Sequence, residues 1–520
     1  MKRILFASAI ILTAAAVSAL RLPRLNLRPI HTDEAVHAVK FADLLEKNQY
    51  CYDPSEYHGP TLYYFTLPVA WLSGKTNFTE ITETTLRLVP ALFGIATILL
   101  FLLIADAIGY PAAFIGAALT AISSALTFYG RYYVHETLLV FFSFLVIAAV
   151  WRYLYRRSPG WLLLAGAAVG LMHATKETCL ISFAAMLIAL LIVDKQKTLH
   201  QKKLGLEKPT PPFNNKHFTA AYIIMAAVSF LFFSSFFTNF RGPLDSFLTY
   251  TTYFTRAAAA PTHHHPWYYY LKMLIFTQYA PGPIWSESLI LIVAAIGSAA
   301  ILLNKKIAGA NTWFLRFIVI YTFILLLAYS IIPYKTPWCL LTFLHGLIIL
   351  AGVGAAYLIQ IIPVTFGRLI LILMLLVAAC HLTWQTYRTN FRFFADTRNP
   401  YVYAQTVTDT VRLSKFICDL ADIHPDQNEM PIQIIAEPDN YWPFPWYLRR
   451  FNRVGYWPDV PVQIIAPVII TSQSMAPLVE LKLLDDYHQE TYGLRPTIKM
   501  QVYIRKNLWD AYLETRRTIK

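Results

Sequence analysis

Apolar stretches of roughly 17–25 residues recur over the first three quarters of the chain, and each is long enough to cross a bilayer as a helix. Shorter polar segments separate them. This pattern predicts an α-helical polytopic membrane protein with about eleven transmembrane helices. We place these helices at 4–20, 87–107, 111–128, 137–155, 160–175, 178–193, 218–237, 286–304, 312–332, 338–360 and 364–383.

After residue 383 the long apolar stretches end and shorter patterns replace them. Residues 402–422 have the apolar spacing of a helix, and strands are predicted within 431–438, 466–472 and 494–509. A helix mixed with strands in this way indicates a small α/β domain. We therefore divide the chain into a transmembrane domain, 1–383, and a soluble domain, 384–520.

Composition agrees with the membrane class. The chain is 56% hydrophobic and 14% charged, whereas soluble domains are about 25% charged. Residues 384–520 hold 16 Lys and Arg against 15 Asp and Glu, so +13 of the net charge of +14 belongs to the membrane part. That charge orients helices and gives no reason to expect a nucleic acid partner. The five cysteines form no CxxC pair, which favours neither a disulfide framework nor a zinc site.

The distribution of basic residues predicts the topology. Lys and Arg cluster in alternate loops, above all in 194–217, which we interpret as a flexible cytoplasmic loop. Residues 1–20 resemble a cleaved signal peptide, but many spans follow, so we interpret them as an uncleaved first span. We therefore expect a protein of the inner (cytoplasmic) membrane whose N-terminus lies in the cytoplasm. The soluble domain and the loops 21–86, 129–136 and 238–285 lie outside.

Polar motifs from five places fall on this external face, each at the end of a span. They are HTDEAVHA (31–38) with YDPSEYHGPTLYY (52–64), YGRYYVHETLL (129–139), ATKET (174–178), APTHHHPWYYYLKM (260–273) and IIPYKTPW (331–338). The cations among them, Arg131, Lys176 and Lys335, have an ordinary explanation, since long basic side chains at helix ends reach for water. The carboxylates have none, and they indicate a site. These carboxylates are Asp33, Glu34, Glu136 and Glu177.

A base and several cations at a membrane surface suit the attack of a hydroxyl on a lipid-phosphate-linked donor. A carboxylate removes the proton of the acceptor hydroxyl. Cations stabilise the departing lipid phosphate. The aromatic segments around Tyr269 suit either a sugar platform or an interfacial aromatic belt.

The same motifs resemble those of a known superfamily. The external Asp33–Glu34 pair after the first span resembles the first-loop acidic motif of the GT-C glycosyltransferases, which include protein mannosyltransferases and lipid A aminoarabinose transferases. HTDEAVHA, HGPTLYY, GRYYVHETLLVFF, ATKET and PYKTPW, in this order over roughly residues 25–345, are together similar to the prokaryotic flippase activity-associated branch. The resemblance implies a GT-C type fold.

It also implies roles for individual residues. Asp33 corresponds to the catalytic base, with Glu34 positioning donor or acceptor. Glu136 corresponds to the second acidic motif, where many relatives have Asp. Arg131 and Lys176 correspond to positions near the lipid phosphate.

The remaining candidates are substrate-binding. Lys335 lies in a basic motif of the branch, Glu177 belongs to ATKET, and His135 is expected to bond a carboxylate. His265 and Tyr269 belong to a loop in which relatives carry a histidine before a PWYYY-like segment.

The resemblance implies no required cofactor, although some relatives bind a divalent metal at this loop. Three consecutive histidines, His263, His264 and His265, cannot all face one ion, so at most one or two would bind it. The metal therefore stays open at this point.

Two functions follow. In the first, the chain is a membrane glycosyltransferase that moves a sugar from a polyprenyl-phosphate donor to an external hydroxyl of a lipid, glycan or protein, with Asp33 as base. In the second, it binds lipid-linked sugars without catalysis and takes part in flipping them. The acidic pair favours the first, because binding alone would not need a base.

Overall fold

The computed structural model describes residues 2–54, 58–204, 214–259, 263–279, 281–484 and 486–518. The first half of the chain is helical. Its helices are α1 (Lys2–Arg21), α2 (Thr32–Lys47), α3 (Thr61–Leu72), α4 (Glu83–Leu99), α5 (Phe101–Ile108), α6 (Tyr110–Ile122), α7 (Ser124–Tyr129), α8 (Glu136–Arg156), α9 (Pro159–His173), α10 (Cys179–Lys203), α11 (Asn215–Phe233) and α12 (Gly242–Ala259).

Helices continue to the soluble domain and recur within it. They are α13 (Tyr269–Ile275), α14 (Ser288–Leu302), α15 (Thr312–Ile331), α16 (Leu341–Ile361), α17 (Thr365–Phe391), α18 (Thr408–Ala421), α19 (Phe444–Tyr447), α20 (Ala476–Glu480) and α21 (Lys506–Thr518). The strands are β1 (Ile432–Ile435), β2 (Val454–Trp457), β3 (Val468–Ser472), β4 (Tyr487–Arg495) and β5 (Ile498–Arg505).

Each predicted span coincides with a helix or with two consecutive helices. Among the described residues, eight helical segments are long and apolar enough to cross a membrane. Three more, α6, α9 and α14, are apolar but shorter. The prediction of a polytopic helical membrane protein is confirmed, and the count of eleven spans stays a prediction.

The span predicted at 111–128 is divided at Ser123. The Ser123 hydroxyl accepts a hydrogen bond from the Leu126 amide and so starts a new helix. α6 and α7 are therefore separate helices.

The structure adds detail to the predicted loops and to one boundary. The segment 194–217 is not a loop throughout, because α10 continues to Lys203, where its basic residues lie at the favourable end of the helix dipole. Residues 205–213 lie outside the described residues. The loops 21–86 and 238–285 contain α2, α3, α12 and α13. The last span continues to Phe391, past the proposed domain boundary at 383.

The soluble domain is built on one sheet with the strand order β2-β1-β3-β5-β4. β1 pairs in parallel with β2 and β3, while β5 pairs antiparallel with β3 and β4. Strands were predicted around β1, β3 and β5, and the small α/β domain is confirmed. β2 and β4 were missed, because both are only partly buried and lack an apolar run.

The soluble domain packs against the helix ends of the membrane domain. Trp446 Nε1 donates to Glu83 Oε1 at 3.0 Å, and the Tyr447 hydroxyl accepts from the Ile30 amide at 3.0 Å. Gln405 Nε2 donates to the Pro29 carbonyl at 2.8 Å. The segments before β1 and after it therefore reach the loop that precedes α2.

Candidate active site

Asp33 lies in the first turn of α2, which a capping box fixes. The Asp33 amide donates to His31 Nδ1 at 3.1 Å, and the His31 amide donates to Glu34 Oε2 at 2.9 Å. Because Nδ1 accepts, Nε2 carries the proton and donates to the Tyr403 carbonyl at 3.0 Å. The Asp33 carboxylate itself stays 44% exposed on a rigid helix start.

Glu34 points the other way, into the protein, and is fully buried. It forms a two-pronged ion pair with Arg87, whose Nε and Nη2 each lie 2.7 Å from one carboxylate oxygen. The Tyr133 amide donates to the same carboxylate at 2.8 Å. Burial would raise the pKa of Glu34, but the Arg87 charge and hydrogen bonds outweigh it and lower the pKa to about 2. Glu34 therefore orients α2 from inside the protein, and its predicted role in positioning donor or acceptor stays a prediction.

Arg131 also faces inward. Its guanidinium donates to the carbonyls of Leu20, Arg21 and Arg24 at 3.0–3.1 Å. The Arg131 carbonyl in turn accepts from Arg28, which stacks on the Tyr132 ring. Arg131 thus satisfies carbonyls at the end of α1. Its predicted position near a lipid phosphate stays a prediction. We name Arg28, Arg87 and Arg131 with Glu34 the arginine pocket.

Glu136 and Lys176 form a buried ion pair. Glu136 is the first residue of α8, and Lys176 lies in the turn between α9 and α10. A carboxylate and an ammonium group from two different motifs are therefore brought together at one point.

Three histidine rings pack beside this pair. The ring centroid of His135 lies 4.8 Å from that of His37 and 5.3 Å from that of His58. His135 Nε2 bonds the Gly59 carbonyl rather than a carboxylate, which corrects its predicted partner. Burial and the neighbouring His58 lower the pKa of His37 to about 3, and burial also lowers the pKa of His135. Both rings are therefore neutral at pH 7.

Glu177 is held by residues of the loop before α3. His58 Nδ1 lies 2.7 Å from one of its oxygens, and the Tyr52 hydroxyl donates to the other at 3.1 Å. Burial would raise the pKa of Glu177, but the His58 charge and hydrogen bond lower it to about 2. Glu177 thus ties the α9–α10 turn to the first loop.

Lys335 joins two loops. Its ammonium group donates to the carbonyls of His265, at 3.1 Å, and Ile332. The Lys335 amide donates to the His263 carbonyl at 2.9 Å. The His265 ring stacks on Tyr269 with centroids 4.2 Å apart. Lys335 therefore links the two loops and holds the backbone next to the stacked His265 and Tyr269 rings in place, and its predicted contact with substrate stays a prediction.

Asp33 faces a polar surface made by these loops and the soluble domain. Its charge acts on His37, His263, Tyr334 and Tyr403. His263 Nδ1 bonds the Tyr403 hydroxyl at 2.6 Å, and the charge of Lys176 also reaches Tyr334. We name this surface the mouth. It consists of Asp33, His263, Tyr334 and Tyr403, which are partly exposed, together with the buried ion pair of Glu136 and Lys176, whose charge reaches Tyr334.

The metal prediction remains untested. In the part of the chain that the structure describes, no three His, Cys, Asp or Glu side chains converge as metal ligands. His263 turns to Tyr403 and His265 to Tyr269, so the histidine run splits between two partners.

Three residues with clear roles were missed from sequence. Arg87 was taken as the first residue of an apolar span, although a charge in that place was a signal. His58 was visible in HGPTLYY. Tyr403 carried no signal, because nothing in the sequence brings a residue after the last span to the first loop.

The family described as Dolichyl-phosphate-mannose-protein mannosyltransferase matches residues 66–206. This range includes Arg131, Glu136 and Lys176, but it begins after Asp33 and so does not include it. No curated protein matches the sequence significantly.

Two solved structures resemble the whole chain. ArnT from Cupriavidus metallidurans bound to undecaprenyl phosphate gives a TM-score of 0.65 at 14% identity, over 96% of this chain and 98% of that one. The archaeal oligosaccharyltransferase AglB from Archaeoglobus fulgidus, in complex with an inhibitory peptide and a dolichol-phosphate, gives 0.53 at 11% identity, over 98% and 77%. At such identities the likeness is one of fold. This chain is a multi-pass membrane protein, and it has the fold that these two solved structures share.

Proposed function

We propose that this chain is an integral-membrane glycosyltransferase that moves a sugar from a polyprenyl-phosphate donor to an acceptor hydroxyl, with Asp33 as general base. One observation carries the proposal. Of the two adjacent acids, Glu34 is fully occupied by Arg87, while Asp33 is partly exposed on a helix start that the Glu34 bonds fix. A base must be oriented and accessible, and Asp33 is both.

The rest of the mouth supplies the other requirements. Lys176 is the cation for the leaving phosphate, and its pair with Glu136 keeps it in place until the donor arrives. Because the His37 and His135 rings are neutral, they add no positive charge near the base. The stacked His265 and Tyr269 offer a flat surface beside the mouth, which suits a sugar ring.

The partners and the membrane follow from this reaction. The donor is a polyprenyl-phosphate sugar, and the acceptor is a glycan, lipid or protein; nucleic acid has no role. The mouth faces the outside of the cell membrane and the N-terminus faces the cytoplasm. A reporter fused after Lys520 should therefore give an external signal, and a cytoplasmic signal would contradict this orientation.

The test of catalysis is sugar transfer or release from radiolabelled polyprenyl-phosphate hexose by the purified protein. Asp33→Asn should lower the rate by about 10²- to 10⁴-fold, the usual contribution of a general base. Asp43→Asn, on the exposed face of the same helix, is the matched control and should leave the rate unchanged.

Full activity of Asp33→Asn would contradict the assignment of the base. A wild-type protein that binds donor but releases no sugar from any donor would instead favour the alternative function, a lipid-linked-sugar binding or flippase-associated protein.

A further inference from the structure

An apolar groove of about 620 Å³ lies between α14 and α17, on the outside of the helix bundle. The groove residues are Ser286, Leu289, Leu373, Met374, Val377, Ala378, His381 and Leu382. Six are apolar, and the two polar ones, Ser286 and His381, lie toward the outer end of the groove, the end nearer the soluble domain. The polarity of the lining therefore matches that of a lipid, which is apolar along its chain and polar at one end.

The groove exists because α17 docks by its outer end alone. None of the residues from 365 to 381 is buried, whereas Leu382, Gln385 and Thr386 are. Gln385 accepts from the Ser286 amide at 2.9 Å and donates to Ser124 at 3.1 Å, which fixes this end. The rest of α17 stands away from α14, and the bilayer has access to the gap.

Beyond the polar end of the groove lies a cluster of arginines. Arg388 is seven residues after His381, two helical turns and about 10 Å further along the same face of α17. The guanidinium carbons of Arg388, Arg392 and Arg398 lie 5.1, 5.7 and 5.2 Å from the centroid of one ring, Phe393. Arg388 also stacks on Trp285, next to the groove residue Ser286.

The charge of this cluster is unbalanced. Asp396 pairs with Arg398, which leaves an excess of two positive charges over these four residues. Arg388 Nε is buried and has no hydrogen-bond partner in the described part of the chain. A phosphate monoester carries a charge of about −1.5 to −2 at pH 7, so it matches this excess better than a singly charged phosphodiester does.

We propose that the groove binds a lipid phosphate monoester, with its chain against α14 and α17 and its phosphate at Arg388 and Arg392. A single chain suits a gap between two helices. The length of lining from Leu373 to Leu382, about 14 Å, accommodates the first part of a long chain. The proposal rests on the proposed function, because a lipid phosphate monoester is the leaving group of that reaction.

The position of the groove suits a product that has left the mouth. α13 begins at Tyr269, which stacks on His265, and ends at Ile275. The Ile275 carbonyl accepts from the hydroxyls of Ser286 and Ser288 at 2.7 and 2.6 Å. One short helix therefore separates the groove from the mouth, and a carrier held in the groove would not compete with the next donor at Lys176.

The experiment is native mass spectrometry of the full-length protein in detergent with undecaprenyl phosphate. The test variants are Arg388→Gln with Arg392→Gln, and Ala378→Trp, which fills the groove without changing charge. The control is Arg412→Gln with Arg516→Gln, two exposed arginines of the soluble domain with the same loss of charge. Equal melting temperatures establish that all variants are folded.

We expect both test variants to lose one bound undecaprenyl phosphate, with at least a tenfold weaker affinity, and the control to keep it. Phosphatidylglycerol should bind at least tenfold more weakly, and millimolar inorganic phosphate should not displace the lipid. Equal binding by the test variants, by the diester lipid or by phosphate alone would overturn the proposal. Because binding is measured without turnover, loss of transfer in Asp33→Asn with this lipid retained would leave the groove proposal intact.

Discussion

The arginine pocket and the mouth lie on opposite sides of the same helix start, and they differ in access to water. In the pocket, Arg87 and Glu34 satisfy each other and nearby backbone groups in a closed network. In the mouth, Asp33 is nearly half exposed. The two adjacent acids thus differ in role. The buried Glu34 fixes the geometry of the helix start, and the partly exposed Asp33 is accessible for reaction.

The comparison also separates the cations. The side chains of Arg131 and Lys335 donate hydrogen bonds to backbone carbonyls of neighbouring segments. Lys176 is paired with a carboxylate, Glu136, at the mouth. The hydrogen bonds that a basic side chain already makes within the protein therefore limit its availability to a phosphate.

The sharpest test compares the two acids for stability. Glu34→Gln should lower the free energy of unfolding by about 3–5 kcal/mol, because Arg87 is left buried without a counter-charge. Asp33→Asn should change it by less than about 0.5 kcal/mol. Thermal unfolding in detergent measures both. Equal losses would remove the distinction between pocket and mouth, and Glu34→Gln combined with Arg87→Gln should recover part of the stability.

Acid should weaken the protein through the same buried carboxylates. Glu34 and Glu177 have pKa values near 2 in the folded protein, below the ordinary 4.5. A lowered folded pKa contributes stability that is present above pH 4.5 and is lost as the pH falls toward 2. Each group accounts for on the order of 3 kcal/mol. The melting temperature of Glu177→Gln should fall less steeply over this range than that of wild type; parallel curves would contradict the assignment.

The ion pair at the mouth should show coupling of intermediate size. Glu136→Gln and Lys176→Met should each destabilise the protein, and their double variant should deviate from additivity by about 0.5–3 kcal/mol. The exposed pair Asp43 and Lys47 provides the control, and its coupling should be much smaller because water screens it. A double-mutant cycle by thermal unfolding measures both pairs. Additive effects at Glu136 and Lys176 would mean that they do not act as a unit.

The smallest effect should come from the soluble domain's contact with the mouth. Tyr403→Phe removes the hydroxyl bonded to His263 and should cost about 1 kcal/mol of stability. Tyr387→Phe, on the exposed side of α17, is the control and should cost less. If the two variants behave alike, Tyr403 contributes no bond to the mouth.

Much of the membrane domain was predictable because each span is a local pattern. An apolar stretch must form a helix in a bilayer, whatever it packs against. The soluble domain was harder, since β2 and β4 depend on neighbours supplied by other strands. At the site, Asp33, Glu136 and Lys176 were predicted as members of one site. The structure pairs Glu136 with Lys176, and the common site and the roles of the three residues stay predictions. The assignment of Arg131 and Lys335 to substrate stays a prediction, and the carbonyl partners that both have in the structure could not be foreseen, because sequence shows a charge but not its hydrogen bonds.

The sequence by itself determined the class of protein, the order of its helices and the motifs that carry its charges, because these depend on composition and on spacing along the chain. Only the tertiary structure decided which of two adjacent acids is buried, which cations are consumed by backbone carbonyls, and that Tyr403 returns to the first loop. The reason is physical: the fate of a charge depends on the partners and the water around it, and these come from segments as far as 372 residues apart along the chain.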